Sequence, residues 1–313
     1  MAFRELKTLS REAYLQERIA ALREIYRSVQ IKLLSQIKAG ELTEFGAARA
    51  NAILAEVKKV VTSLNRDVYR WAKSAMPDAY EQGIDLAAER LKALNVVRHV
   101  SYDAGIHTSA VNVLINDVAL DMVSTNIGIE KFFNRFIRQT QQKLIEDAEI
   151  SRQIAQGVIE GQARRTVSDD LLKSLREKMG DQKFIAINGR NYRPDKYAEL
   201  VARTRTREAT TQGTINTSLR YGITLVQVDV HSNACEKCQT HAGRVYSLTG
   251  GDPNFPELKE QPPYHPSCLC VLSPVTFQHL ERSGALDETI KLSQSPLLKI
   301  PSFADFQEVL ASL

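Results

Sequence analysis

Apolar residues recur at steps of three and four along the first half of this chain. Leu15, Ile19, Leu22, Tyr26, Val29, Leu33 and Ile37 share one helical face, because 3.6 residues complete a turn. Ala39-Gly40 then supplies a stop. A second run through Ile53, Val57, Val60, Val61, Leu64, Val68 and Trp71 predicts another long helix, which Pro77 is expected to end. Helical spacing returns over 80–94, 108–124 and 129–157. Phe132, Phe133, Phe136 and Ile137 mark the buried side of the last stretch. Such stripes are first of all core-packing faces, and only then docking faces for partner helices. Long amphipathic helices with short connections suggest an elongated bundle.

The pattern changes near Gly161. Ser168 suits the N-cap of a short helix over 169–179, closed by Gly180, since a serine hydroxyl satisfies free N–H groups and glycine tolerates the turn out. Phe184–Ile187 and Arg190–Tyr192 flank Asn188-Gly189, a dipeptide that accepts the positive φ of a tight hairpin. Pro194 and Asp195 open a helix running to about Tyr221, with Gly222 at its end. Val226, Val228 and Val230 alternate like a half-buried strand. Residues 281–301 mix Ser, Gly and Pro with scattered Leu and read as a tail or docking arm, with one last amphipathic helix over 303–313. The fold class expected is a mainly α N-terminal half followed by an α+β module with a small sheet. The expected division is 1–160, 161–280 and 281–313.

Composition adds bounds. A chain of 313 residues with 43% hydrophobic and 25% charged content can bury a core and is not disordered throughout. Its net charge of +4 does not by itself single out a nucleic-acid partner. The most apolar stretch, Val111–Val123, is broken by Asn112, Asn116, Asp117 and Asp121. It falls short of the ~18 apolar residues that span a bilayer, so no membrane partner is expected. Met1–Lys7 has no apolar h-region, and a cytoplasmic protein is expected.

The chemistry is concentrated in one place. All four cysteines lie between Cys235 and Cys270, and clustered cysteines in a reducing compartment favour a metal over a disulfide framework. Cys235 and Cys238 form a C-x2-C pair, able to place two thiolates on one tetrahedral ion. His265, Cys268 and Cys270 follow as H-x2-C-x-C. Five donors thus compete for four positions. Cys235 and Cys238 are the first pair; the second is Cys268 with Cys270, or His265 with one of them. Both thiols of an extended C-x-C pair are expected to bind one ion only if the backbone bends, which gives His265 weight. His231 and His241 flank the cluster as outsiders, and His99, His107 and His279 lie apart from it. A redox dithiol at Cys235–Cys238 lacks its βαβ context, and four plain buried thiols is the remaining alternative. Three or four thiolates favour a closed structural zinc site over a catalytic one. No His-x-Glu precedes the C-x2-C pair as in a zinc deaminase, and no Walker loop, HExxH or GxSxG occurs.

Residues 152–222 hold fourteen Lys/Arg against eight Asp/Glu. Arg203 and Arg207 are four apart and share a helical face, and Arg164 and Arg165 add density. Such groups hold phosphate without reading sequence; the alternative is a solvated face with local ion pairs. The threonines on the same helix, Thr204, Thr206, Thr210, Thr211, Thr214 and Thr217, lower helix propensity. They suggest packing against the C-terminal sheet or a partner.

The order Ile187–Tyr192, Tyr197–Thr204, Cys235-x2-Cys238, Gly243-Arg244-Val245-Tyr246 and Pro262–Cys270 resembles the phage Mu F-like family of minor head, or head morphogenesis, proteins of tailed bacteriophages. The resemblance covers about residues 155–275. Leu269 departs from it, since the family usually has a polar residue between the last two cysteines. The resemblance implies a low-copy structural protein of the capsid interior, made in the host cytoplasm. Its implied partners are the portal protein, the major capsid or scaffold protein and, non-specifically, packaged double-stranded DNA, with roles in assembly and in DNA packaging or ejection. Some members of that family carry toxin or enzyme domains behind this module; the plain tail here gives no sign of one, and no enzyme is expected. A stand-alone nucleic-acid-binding zinc module would differ in binding DNA alone, with affinity falling as salt rises. A zinc enzyme would differ in having an open coordination position beside a carboxylate.

Overall fold

The computed structural model describes residues 11–39, 47–100, 104–154, 185–187, 190–230, 232, 234–265 and 268–297. The expected helices over 169–179 and 303–313, Arg164, Arg165, the Asn188-Gly189 turn and His231 lie outside the described residues. The elements are α1 (Arg11–Ala39), α2 (Ala47–Ala93), α3 (Ala104–Ile154), β1 (Ile185–Ile187), β2 (Arg190–Tyr192), α4 (Pro194–Arg220), β3 (Leu225–Asp229), α5 (Glu236–Gln239), β4 (Val245–Ser247), β5 (Val271–Val275), α6 (Phe277–Arg282) and α7 (Leu286–Gln294). The fold is mainly helical, with a small antiparallel sheet in the C-terminal part.

Two expected breaks do not occur. Helix α2 runs through Pro77 to Ala93, so 53–71 and 80–94 belong to one helix. Proline removes one N–H from the ladder and crowds the preceding turn, yet Ala72, Ala75, Met76, Ala79 and Tyr80 around it are all buried, and that packing holds the helix through the defect. Helix α3 likewise runs unbroken through Gly128 to Ile154, so 108–124 and 129–154 belong to one helix. Phe133 and Ile137 are buried as expected, and Phe132 is half-buried.

The chain forms two compact units, neither of them a single stretch. The first comprises residues 1–74 and 115–202. Its core is built from α1 and the parts of α2 and α3 that belong to it, around Leu22, Leu33, Leu64, Val118, Met122 and Phe133. Asn126 is fully buried and polar at its centre. It accepts from Tyr26 Oη at 2.7 Å and donates to Asn65 Oδ1 at 2.7 Å, so one side chain ties three helices. Burial pushes the Tyr26 phenol up. Asp195, near the start of α4, is buried and takes both arms of Arg193 at 3.1 Å.

The second unit comprises residues 75–114 and 203–313. Here α2 and α4 meet at two glycines. A Cβ on Gly83 would lie 1.9 Å from Thr210 O, and one on Gly213 would lie 2.2 Å from Tyr80 O. Thr210 and Thr214 of α4 face this contact. Thr210 Oγ1 donates toward Ala79 O at 3.0 Å and Thr214 Oγ1 toward Gly83 O at 3.1 Å. The expected packing partner of the α4 threonines was the sheet or another protein; for Thr210 and Thr214 it is α2. Small hydroxylated side chains let two backbones approach while satisfying their own polar atoms. Asn216 Nδ2 donates to Tyr80 Oη at 2.7 Å, which in turn meets His107 Nδ1 at 2.9 Å.

Helix α4 ends as expected at Gly222, with φ +71°, and Ile223 N bonds back to Ser218 O. The sheet order is β4-β3-β5, antiparallel throughout. Val226 and Val228 are fully buried on one face of β3, as the alternation predicts, and Ile215 of α4 packs against the same cluster. Strands β4 and β5 were not expected as elements. Neither were α6 and α7: residues 286–294, read as part of a tail, form a helix whose Thr289 and Ser293 are buried. Its Leu286 and Ile290 pack against a core of Leu225, Val245, Phe255, Val275 and Leu280. Three and four residues separate the contacts, but the intervening Ser, Thr and Lys hide the stripe in sequence.

Candidate metal centre

Sheet register brings the two halves of the Cys/His cluster together. Asp229, the last residue of β3, pairs with Val271, the first of β5. The chain leaving β3 and the chain entering β5 therefore lie at the same end of the sheet. Cys235 sits at the N-cap of α5 in extended conformation, and Cys238 lies within that single turn. A spacing of three on one helical turn places both sulfurs on the same side. Gln239 N bonds to Cys235 O at 2.9 Å and closes the turn.

From the other side comes the loop through the cis Pro262–Pro263 bond, Tyr264 and His265. Cys268 N donates to His265 O at 2.9 Å, and Lys237 Nζ of α5 donates to Tyr264 O at 2.8 Å. His265 Nε2 lies 3.3 Å from Cys235 Sγ and 3.1 Å from Cys238 Sγ. Cys238 Sγ lies 3.6 Å from Cys268 Sγ. Two donor groups result, Cys235 with Cys238 and His265, and Cys238 with Cys268 and Cys270, each with its ligand atoms within 4.8 Å of one another. Cys238 belongs to both. A tetrahedral zinc with bonds of ~2.3 Å to sulfur and ~2.0 Å to nitrogen separates its ligands by about 3.5–3.8 Å; the Cys238–Cys268 spacing falls in that range and the two spacings to His265 are shorter, so the donors are close enough to share a small ion after a small outward shift. All four thiols are free, and 3.6 Å is far beyond the ~2.05 Å of a disulfide.

The expected obstacle to pairing Cys268 with Cys270 is not found. The two residues precede β5, and side chains two apart on an extended chain share a face; both thiols are buried, while Leu269 between them is 36% exposed. An apolar residue at that exposed position makes no contact with the donors that this structure shows. Neither donor group contains a carboxylate. Asp252, one of the nearby acids, instead caps its own turn by accepting from Asn254 N and Phe255 N.

Electrostatics distinguishes the thiols. A hydrogen bond from Cys270 holds Cys268 low, at about 5, assisted by backbone bonds from Cys270 and Tyr264. Burial pushes Cys238 up to about 12. The Cys270 thiol is also raised, chiefly because it serves as donor to Cys268. A buried site holding one thiolate and two thiols attracts a divalent cation, which would displace the remaining protons.

A supporting layer went unrecognised in the sequence. His241, read as an outsider, is buried and belongs to neither donor group. Its ring stacks on Tyr264 at 3.9 Å and 8°, and its Nδ1 meets Tyr246 Oη at 3.2 Å. Desolvation lowers its pKa, so it packs as a neutral aromatic. Tyr246 and Tyr264 join Cys238, Cys268 and Cys270 in one buried cluster. The H-x4-Y spacing of His241 and Tyr246 was the available signal, but nothing in sequence ties either to Tyr264.

Arg203 and Arg207 of α4 are half-buried, and Arg205 pairs with Glu208 at 2.7 Å. Among the described residues no helix is long and apolar enough to cross a membrane.

Comparison with curated proteins and with solved structures finds no match. The family model of phage minor capsid protein 2 matches residues 11–260. The match takes in the helical N-terminal half as well as Cys235 and Cys238, and it ends before His265. It extends the likeness read from C-terminal motifs across most of the chain: this protein belongs to the phage minor capsid protein 2 family and is a structural component of the bacteriophage head.

Proposed function

We propose that this chain is a portal-associated minor head protein whose C-terminal α+β module is clasped by one structural zinc ion. The observation that carries the reading is the gathering of five soft donors at one end of the β4-β3-β5 sheet, with Cys238 common to both groups. Cys235, Cys238, His265, Cys268 and Cys270 would hold the ion, four at a time. Thiolate and imidazole donors without a carboxylate select zinc and leave no general base beside it. The ion would supply charge compensation and a cross-link between the α5 turn and the loop before β5.

In this reading the protein joins the capsid interior during assembly in the host cytoplasm. The long helices α1 to α3 dock on portal, major capsid or scaffold subunits. The basic surplus over 152–222, including Arg164, Arg165, Arg203 and Arg207, lies near packaged double-stranded DNA and contacts phosphate without sequence preference. The family is structural, which supports a role without catalysis.

The test pairs two measurements on the full chain. The double variant Cys235→Ser with Cys238→Ser is expected to lose bound zinc and to melt several degrees below wild type, and co-expressed portal protein is expected to co-purify with wild type. A double variant that keeps its zinc and melts like wild type removes the clasp. Portal that never co-purifies removes the assembly role.

A further inference from the structure

Arg244 lies six residues after Cys238 and is 6% exposed. Its guanidinium bonds in two directions. Nε donates to Thr240 O, at the end of α5, at 2.7 Å. Nη1 donates to Ser295 O at 2.6 Å and reaches Ser293 O at 3.5 Å. Nη2 donates to Ser295 Oγ at 3.2 Å and Pro296 O at 3.3 Å. Every one of these acceptors is neutral. Those beyond Thr240 belong to the last turn and exit of α7, where carbonyls lack intrahelical donors and the helix dipole is negative. The groups bonded to this buried charge are thus the end of α7 and the cap of α5.

Ser293 adds a second tie, since its hydroxyl accepts from Val245 N at 2.9 Å. Val245 belongs to β4, an edge strand of the sheet. The rest of that edge is covered by the 256–258 segment, through Ser247 N to Pro256 O and Leu258 N to Ser247 O. Helix α7 therefore completes the protection of an edge that would otherwise offer free pairing groups. Gly243, at φ +70°, brings its backbone against Leu292 of α7.

The other end of this arrangement is the metal loop. His241 N bonds to Cys238 O at 3.0 Å, and Arg244 N bonds to His241 O at 3.2 Å. From donor Cys238 to Arg244 the chain is one hydrogen-bonded turn with no slack residue.

We propose that residues 286–297 form a strap whose seating depends on the ion, with Arg244 as the positioning residue that connects the two. The inference rests on the metal reading above. An ion that fixes Cys238 fixes the turn, and the turn aims the guanidinium at the end of α7. Without the ion the turn relaxes and the guanidinium loses its alignment. The strap then lifts, and the N–H of Val245 on the β4 edge is uncovered for another strand.

Hydrogen–deuterium exchange on the full chain tests this, with zinc content measured in every sample. Removing zinc from wild type with a chelator is expected to speed exchange across 286–297 at least tenfold. Arg244→Ala is expected to show that fast exchange with one zinc still bound, and to respond no further to chelator. A merely structural arginine would not abolish the response to metal. Arg244→Lys keeps the charge but not the planar fork, and should fall between the two; it also serves if the alanine variant fails to fold. Unchanged strap exchange in wild type, after zinc has fallen from one per chain to none, overturns the proposal. So does an Arg244→Ala strap as protected as wild type. A wild-type protein that carries no zinc overturns the metal reading itself, and the zinc assay separates that result from the other two.

Discussion

Cys238 illustrates how one residue sets the chemistry of the cluster. It touches donors on both sides, Cys235 and His265 in one group and Cys268 and Cys270 in the other. Burial holds it protonated at neutral pH, with a pKa near 12, while Cys268 is already ionised, with a pKa near 5. The sign of the pH dependence follows. Metal binding requires the thiolate, so the bound form carries fewer protons than the free form, and affinity rises with pH. Zinc binding at pH 7 is expected to release at least one proton per ion, measurable by calorimetry in two buffers of different ionisation enthalpy. Identical heats in the two buffers would contradict this assignment of charge. The spacing of these residues was legible in sequence because ligand geometry constrains short spacings directly. The pairing of Cys268 with Cys270 was misjudged: side chains two apart on an extended chain share a face, and the exposed Leu269 between two buried thiols follows that alternation.

Between elements, the contact of α2 with α4 is the tightest described. A Cβ at Gly83 would lie 1.9 Å from a backbone oxygen of Thr210, which no side-chain rotation can relieve. Helix propensity alone predicts that Gly83→Ala stabilises α2 by about 1 kcal/mol. The contact predicts the opposite, a loss of about 3 kcal/mol from overpacking and from the hydrogen bonds of Thr210 and Thr214. Denaturant unfolding distinguishes the two by sign, and a stabilised variant would contradict the packing described. Helical periodicity was read correctly for α1 and for the parts of α2 and α3, since a stripe of apolar residues needs no tertiary information, while α4 was read from its ends, Pro194-Asp195 and Gly222. The break at Pro77 was misread, because a proline's cost is local while the packing that offsets it comes from residues on other turns. Short elements β4, β5, α6 and α7 were missed for a related reason. Three to nine residues carry too few periods to show, and their burial is set by partners distant in the chain.

Over the whole molecule, neither compact unit is continuous in sequence. The second draws on residues 75–114 as well as 203–313, so the Cys/His lobe shares its unit with the end of α2. A boundary read from composition follows the change from helix to α+β, whereas packing follows the close approach at Gly83 and Gly213. The family places the protein in the phage head. On the proposed reading, a zinc ion would reinforce a small local core, in which Val226, Val228 and Leu272 are backed mainly by cysteines and tyrosines. X-ray absorption at the zinc K-edge of the purified full-length chain tests the claim most directly. The account predicts one zinc per chain in a four-coordinate shell dominated by sulfur at ~2.3 Å. A chain without zinc, or zinc in a shell of oxygen and nitrogen alone, would contradict it.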